Sequence, residues 1–196
     1  MRFVSIAAAA VLLATPMAAP AYLQVGAKAP DFTTQGAIGG KVFTVKLKEA
    51  LKKGPVVLYF YPAAFTPGCT AEAHEFAEAT EDFRKAGATV LGMSADPIDK
   101  LQKFSVEECR NKFAVAMAEP AVIKAYDVSF GSAAANIPNL TPERAAQLAA
   151  RTSRTSFVIA PGGKIIFVHS DLSYKEHVAK TLAAVQRWQA AHGKKS

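Results

Sequence analysis

Residues 56–61 read Val-Val-Leu-Tyr-Phe-Tyr, an unbroken apolar run rich in β-branched and aromatic side chains. Successive strand residues point to opposite faces, so a run with no polar alternation has to be covered on both faces of its sheet. This requirement excludes a sheet with one wet face and demands packed layers above and below. Residues 89–93 (TVLGM), 113–117 (FAVAM) and 155–159 (TSFVI) have the same character. Residues 164–169 (KIIFVH) form a further strand, joined to the one before it by a Gly162-Gly163 hairpin turn.

Helical patterns lie between these strands. From Cys69 to Ala86 the residues Cys69, Ala73, Phe76, Thr80 and Phe83 fall on one helical face, and Glu75, Glu78 and Asp82 fall on the other. Gly87 closes that helix as a C-terminal cap. Asp96-Pro97 reads as an N-cap followed by proline in the first helical position, opening a helix that runs to about Asn111. Thr141-Pro142 repeats the device before a short helix over 143–150. Ser173 and Glu176 have the spacing of a capping box for a last helix that ends at Gly193, with Val178, Leu182 and Val185 as its buried stripe. Strands alternating with helices and finishing in a hairpin and a helix predict an α/β fold with a central mixed sheet. A length of 196 residues suits one domain, and 51% hydrophobic with 20% charged residues excludes a disordered or collagen-like chain.

The first 21 residues have a different logic. Arg2 is followed by an apolar stretch over 3–13, and Ala19-Pro20-Ala21 has the small-x-small form of a cleavage site. This is the pattern of a secretory signal peptide, which leaves a mature domain of residues 22–196 in an exported, periplasmic location. An uncleaved membrane anchor fits less well, because the run is short for a span and is broken by Thr15 and Pro16. In an oxidising compartment Cys69 and Cys109 could be bonded with no catalytic meaning. Two cysteines are too few for a disulfide-stapled scaffold or a four-thiolate metal site. His74, His169, His177 and His192 show no metal-ligand spacing. The formal charge of +7 is scattered, apart from residues 41–53 and Lys194-Lys195, and no nucleic-acid motif accompanies it. It points to solubility rather than to nucleic-acid binding.

Cys69 follows a buried strand through a Pro/Gly-rich loop and opens a helix. Free amides and the positive dipole end at a helix start favour a thiolate, the nucleophilic form of cysteine. A buried cysteine with a packing role is the alternative. The segment around it, FYPAAFTPGCTAEA with Pro62-x-x-x-Thr66-x-x-Cys69, resembles the active-site signature of the peroxiredoxins, in particular the Q-type or bacterioferritin comigratory protein branch. Residues 26–32 (GAKAPDF) resemble the family's opening strand. Residues 91–96 (LGMSAD) resemble its next strand and turn, and Arg154-Thr155-Ser156-Phe157 the strand carrying its active-site arginine. The resemblance spans nearly all of 24–190. It implies a thioredoxin-like fold and a thiol peroxidase that reduces hydrogen peroxide and organic hydroperoxides without metal, haem or other cofactor.

The resemblance also implies roles. Cys69 would attack the hydroperoxide and become sulfenic acid. Thr66 would hydrogen-bond the thiolate and a peroxide oxygen. Arg154 would hold the thiolate and the developing charge, and Pro62 would shield the pocket. Glu72, one turn into the helix, could position Arg154 or be an ordinary surface acid. Arg151 competes with Arg154, but the Arg-x-Ser-Phe register favours Arg154.

Many Q-type relatives carry a resolving cysteine five residues after the first, where this chain has His74. Others place it on the next helix, at a position that aligns nearer Ser105 than Cys109. Cys109 falls within roughly 20° of the packed face of that helix. Three readings stand for it: a resolving cysteine, a bystander in a one-cysteine enzyme reduced by an external thiol, or half of a permanent disulfide. The implied partners are the hydroperoxide and a thioredoxin-like or other thiol reductant, with no nucleic acid and no membrane after cleavage, and Q-type relatives tend to be monomers. A disulfide oxidoreductase would need Cys-x-x-Cys, and Cys69-Thr70-Ala71-Glu72 lacks the second cysteine. A non-catalytic thioredoxin-fold binding protein or holdase would have no use for Thr66, Cys69 and Arg154 together.

Overall fold

The computed structural model describes residues 22–131 and 139–193, so residues 1–21 and Lys194-Lys195 lie outside it. Among the described residues seven strands form one mixed sheet: β1 (Thr33–Ile38), β2 (Lys41–Lys46), β3 (Val56–Phe60), β4 (Thr89–Ser94), β5 (Ala114–Met117), β6 (Thr155–Ile159) and β7 (Ile165–Ser170). Their order is β2-β1-β5-β4-β3-β6-β7. The pairs β3–β4 and β4–β5 are parallel, and every other neighbouring pair is antiparallel. The described helices are α1 (Leu47–Leu51), α2 (Pro67–Lys85), α3 (Ile98–Glu107), α4 (Pro120–Tyr126), α5 (Pro142–Ala149) and α6 (His177–His192).

The run that opened the sequence is an interior strand with every residue buried. Val57, Tyr59 and Tyr61 face one apolar cluster with residues of α2, α3 and α6. Val56, Leu58 and Phe60 face the other, with residues of α1 and α4. Phe76 stacks on Tyr59 with ring centroids 4.2 Å apart, which seats α2 squarely over β3. That registry sets where the first turn of α2 stands above the end of the strand.

Four sequence expectations need correction. Residues 26–32 are not a strand. Pro30 has no N–H to offer a ladder, Gly26 takes φ +95°, and the segment only lies against the β6–β7 hairpin through bonds such as Ala29 N–H to the Gly163 carbonyl at 2.8 Å. Asp96 does not cap α3, whose N-cap is Pro97. Its carboxylate turns back instead, accepting from the Ala64 N–H at 2.7 Å, the Ser94 hydroxyl at 2.9 Å and the Lys100 ammonium at 2.7 Å. Helix α3 stops at Glu107 because Arg110 and Asn111 enter the left-handed region. Cys109 therefore sits in the turn after the helix, not on it. Ser173 and Glu176 form no capping box: Glu176 reaches Lys180 at 2.6 Å, and the Ser173 N–H is taken by Asp171 at 2.8 Å.

The β1–β2 hairpin turns at Gly39-Gly40, both with positive φ, as a two-residue loop between paired Ile38 and Lys41 requires. The Thr141 cap of α5 is present, its hydroxyl accepting the Arg144 N–H at 3.3 Å.

Candidate active site

The loop between β3 and α2 is held from three sides. The Tyr61 carbonyl accepts the Thr152 hydroxyl at 2.6 Å, Asp96 takes the Ala64 N–H, and the Phe65 ring packs edge-on against Phe104 with centroids 5.2 Å apart. Phe65 has φ +64°, a conformation a bulky residue adopts only where its surroundings impose it. Pro62 is half-buried at the start of this loop.

Helix α2 begins at Pro67, with Thr66 as N-cap, so Cys69 is its third residue. The first intrahelical bond runs from the Thr70 N–H to the Thr66 carbonyl at 2.9 Å. The amides before it, that of Cys69 included, are free of helical partners and give the sulfur a positive environment. The Thr66 hydroxyl donates to the Ala63 carbonyl at 2.9 Å. Cys69 is 2% exposed.

Arg154 stands just before β6 and is itself buried. Its Nε donates to the Leu172 carbonyl at 2.9 Å, Nη1 bonds the Glu72 carboxylate, and Nη2 lies 3.5 Å from the Cys69 sulfur. A Cβ on residue 68 would stand 3.3 Å from Nη2, so glycine there leaves the guanidinium its place beside the sulfur. Glu72, three residues after Cys69, shares its helical face and is fully buried. Burial pushes the Glu72 carboxyl above the usual carboxylate range, and the Arg154 charge pulls it back. Burial works against the charge on Arg154, but Glu72 and then Cys69 outweigh it and hold the guanidinium above its ordinary value. Arg151 is exposed, and its carbonyl accepts the Phe130 N–H at 2.8 Å.

The structure thus brings Cys69, Glu72 and Arg154 together, while Thr66, the N-cap three residues earlier, gives its hydroxyl proton to Ala63 rather than, as expected, to the sulfur. One buried group behind them had no sequence signal beyond its isolated presence. Glu72 Oε1 has no hydrogen-bond partner and faces His177 Nδ1 at 3.7 Å. His177 Nε2 lies 3.0 Å from the Asp171 carbonyl, which can only accept, so Nε2 carries the proton and Nδ1 accepts the Ser156 hydroxyl at 2.8 Å. The His169 ring lies 4.6 Å away, and its Nε2 is also unpartnered.

Burial, with the charges of His169 and Arg154 behind it, depresses the His177 pKa to about 4, against the favourable Asp171 carbonyl. Above the unfolded value near 6.5 this costs nothing. Between 6.5 and 4 the unfolded chain binds the proton and the folded one does not, so stability falls as pH falls. At pH 5 the His177 contribution lost is about 2 kcal/mol. Glu72, raised by burial to about 8, acts in the opposite sense over this range, so the His177 contribution is read as a difference between variant and parent. We expect the urea midpoint of His177→Gln to rise relative to that of the parent as pH is lowered from 7 to 5. A difference that does not change with pH would rule out His177 as an acid-sensitive group.

Cys109 is fully buried, in the same apolar cluster as Cys69, and both cysteines are free. Burial, then Glu108, pushes its thiol well above the ordinary range. Its turn is tied to α2 on both sides of it, by His74 to Glu108 at 2.7 Å and by Glu78 to Arg110 at 3.2 Å. Ser105 is occupied in accepting the Gly40 N–H at 3.0 Å.

A cysteine at a helix start, under a buried arginine, on a mixed α/β sheet defines the class of thioredoxin-like thiol enzymes. The AhpC/TSA family matches residues 25–168. Peroxiredoxin Bcp of Bacillus subtilis is 31% identical over 169 residues, which cover 84% of this chain and 96% of the relative. A Mycobacterium tuberculosis relative named as a peroxiredoxin is 32% identical over 142 residues, covering 72% and 84%. Among solved structures, Peroxidoxin BcpB of Mycobacterium tuberculosis superposes with TM-score 0.69 at 29% identity, covering 85% of this chain and 98% of that one. Peroxiredoxin Q of Xanthomonas campestris gives 0.62 at 25%, covering 82% and 91%. The chain belongs to the AhpC/TSA family and, with these relatives, to its Q-type (Bcp) branch of peroxiredoxins, thiol peroxidases of thioredoxin-like fold.

Proposed function

We propose that this peroxiredoxin is exported to the periplasm after removal of residues 1–21, and that it reduces hydroperoxides through Cys69 with Cys109 as the resolving thiol. The observation that carries the site assignment is the Arg154 guanidinium 3.5 Å from the Cys69 sulfur at the start of α2. The thiolate attacks the terminal peroxide oxygen. A sulfur–oxygen bond forms, the O–O bond breaks, and the leaving oxygen takes a proton to depart as water or alcohol. Sulfur is oxidised by two electrons and the peroxide is reduced by two. Arg154 and the free amides near residues 65–69 meet the negative charge on the sulfur and on the departing oxygen. Thr66, whose hydroxyl proton is turned to Ala63, keeps its lone pairs for the peroxide hydroxyl. Pro62 walls the approach.

Cys109 then attacks the sulfenic sulfur as a thiolate and hydroxide leaves as water, giving a disulfide that a thioredoxin-like dithiol reduces. For this the turn holding Cys109 opens, freeing a thiol that burial otherwise keeps protonated. A short turn after a helix end, held by one exposed ion pair and one partly exposed histidine–carboxylate hydrogen bond, is the kind of unit that opens locally at low cost.

One equivalent of hydrogen peroxide followed by thiol blocking and mass spectrometry tests the scheme. We expect an intramolecular Cys69–Cys109 disulfide. Sulfenic or sulfinic Cys69 beside an alkylated Cys109 would favour a one-cysteine enzyme reduced by an external thiol. The compartment is tested by fractionating the native host, where the processed chain is expected in the periplasm.

A further inference from the structure

The sheet splits at the end remote from Cys69. Strand β5 meets β4 from Leu91↔Ala114 onward, so Thr89 and Val90 have no neighbour on that side. It meets β1 only through Gly36↔Ala116 and Ala37↔Val115. At Gly36 the strands approach so closely that a Cβ would stand 2.6 Å from Val45 and 2.9 Å from the Val115 carbonyl. Beyond that pinch they splay, and a cavity of about 560 Å³ opens between β2 with α1 on one side and β4 with the end of α2 on the other. This is the size of a small-molecule site. Its α2 wall, at Thr80 and Arg84, is 11 to 15 residues from Cys69, roughly 20 Å along the helix. The cavity is therefore separate from the peroxide site.

Its walls are apolar: Phe43, 41% exposed, stands over Val45, Val90 and Phe113, which belong to the two core clusters and show only a few per cent of their surface. Its margin is basic. Lys46, Lys53 and Lys112 are exposed and form no ion pair among the described residues. The one carboxylate in the lining, Glu49, is engaged with Lys52 at 2.8 Å, and Arg84 with Glu81 at 2.6 Å. An apolar slot with unpaired ammonium groups at its edge complements one ligand chemistry, a hydrocarbon tail ending in a single anionic head.

We propose that this cavity binds a free fatty-acid-type carboxylate, its chain against Val90 and Phe113 and its head among Lys46, Lys53 and Lys112. The tail would cover the apolar surface that the splayed strands leave open, and the head would meet ammonium groups that no described carboxylate contacts directly, Glu49 and Glu81 being engaged with Lys52 and Arg84.

The probe is dodecanoate below its micelle concentration, titrated into the full mature chain by calorimetry and by amide chemical shifts. Saturable binding at one site is expected, with shifts confined to β2, the start of β4 and residues 112–114. Dodecanol and butanoate, each lacking one half of the chemistry, are expected to bind at least tenfold more weakly. The exposed double substitution Lys46→Glu with Lys112→Glu is expected to weaken dodecanoate at least tenfold while leaving peroxidase turnover unchanged. Phe43→Ser, at the exposed apolar wall, is expected to weaken binding at least tenfold in a protein whose circular dichroism is unaltered. No saturable binding, equal affinity for dodecanol, shifts scattered over the surface, or binding only to anionic phospholipid vesicles would each overturn the proposal.

Discussion

Cys69→Ser is expected to lower hydroperoxide consumption by at least about 10⁴-fold, to a rate indistinguishable from buffer, in a stopped-flow or coupled assay. A serine hydroxyl fits the same 2%-exposed site and can still accept from Arg154, so the fold and the arrangement of Thr66, Glu72 and Arg154 should survive. What disappears is the thiolate. A hydroxyl ionises far too weakly for the helix start and one guanidinium to supply a working population of alkoxide. Cys109→Ser separates the two cysteines. It should leave the first peroxide turnover intact and stop later ones unless a small external thiol is added. Undiminished activity in Cys69→Ser would sink the mechanism, because Cys109 is fully buried and its thiol is pushed away from ionisation.

Much of this site was legible because its parts are local. Pro62, Thr66 and Cys69 lie in one loop and helix start, and the fully apolar 56–61 run already required a strand covered on both faces. Arg154 was legible only through its register ahead of the TSFV strand, since nothing local says that β6 pairs with β3. Glu72 had an open reading, and tertiary burial decided it: a carboxylate one turn from the cysteine is a surface acid or a buried partner according to what stands across from it. His177 had no signal, because Ser156 on β6 and Glu72 on α2, which surround it, are brought to it from distant parts of the chain, and only the Asp171 carbonyl is local. The failures at Asp96 and Ser173 share one cause. Local spacing alone makes both look like helix caps, but in the fold the Asp96 carboxylate reaches across the chain to the loop before Cys69, and Ser173 is drawn into a turn by Asp171. The position of Cys109 is hidden from the sequence for a related reason, since two left-handed residues with no glycine among them, Arg110 and Asn111, end the helix early.

Arg154→Met is expected to lower the second-order rate constant for peroxide by roughly 10² to 10³-fold, the usual effect of removing one buried donor from a developing negative charge. The same change leaves Glu72 buried without its cation. A broken buried pair costs about 3–5 kcal/mol, reduced here to the extent that the carboxyl, already pushed upward by burial, takes a proton. Loss of activity alone therefore cannot separate catalysis from collapse. The double variant Arg154→Met with Glu72→Leu does so, because it removes the stranded carboxyl together with its partner. The double variant should regain most of the urea midpoint lost by Arg154→Met and little of its rate. Glu72→Leu alone keeps the cation but frees Nη1 from the bond that fixes it, so its rate should fall less than that of Arg154→Met. If the double variant recovered rate along with stability, Arg154 would be a structural residue and the charge facing the Cys69 thiolate would have to come from the helix start alone. The 3.5 Å approach of Nη2 to the sulfur argues for the opposite result, since a guanidinium held by Leu172 and Glu72 has already met the cost of ordering before the peroxide arrives.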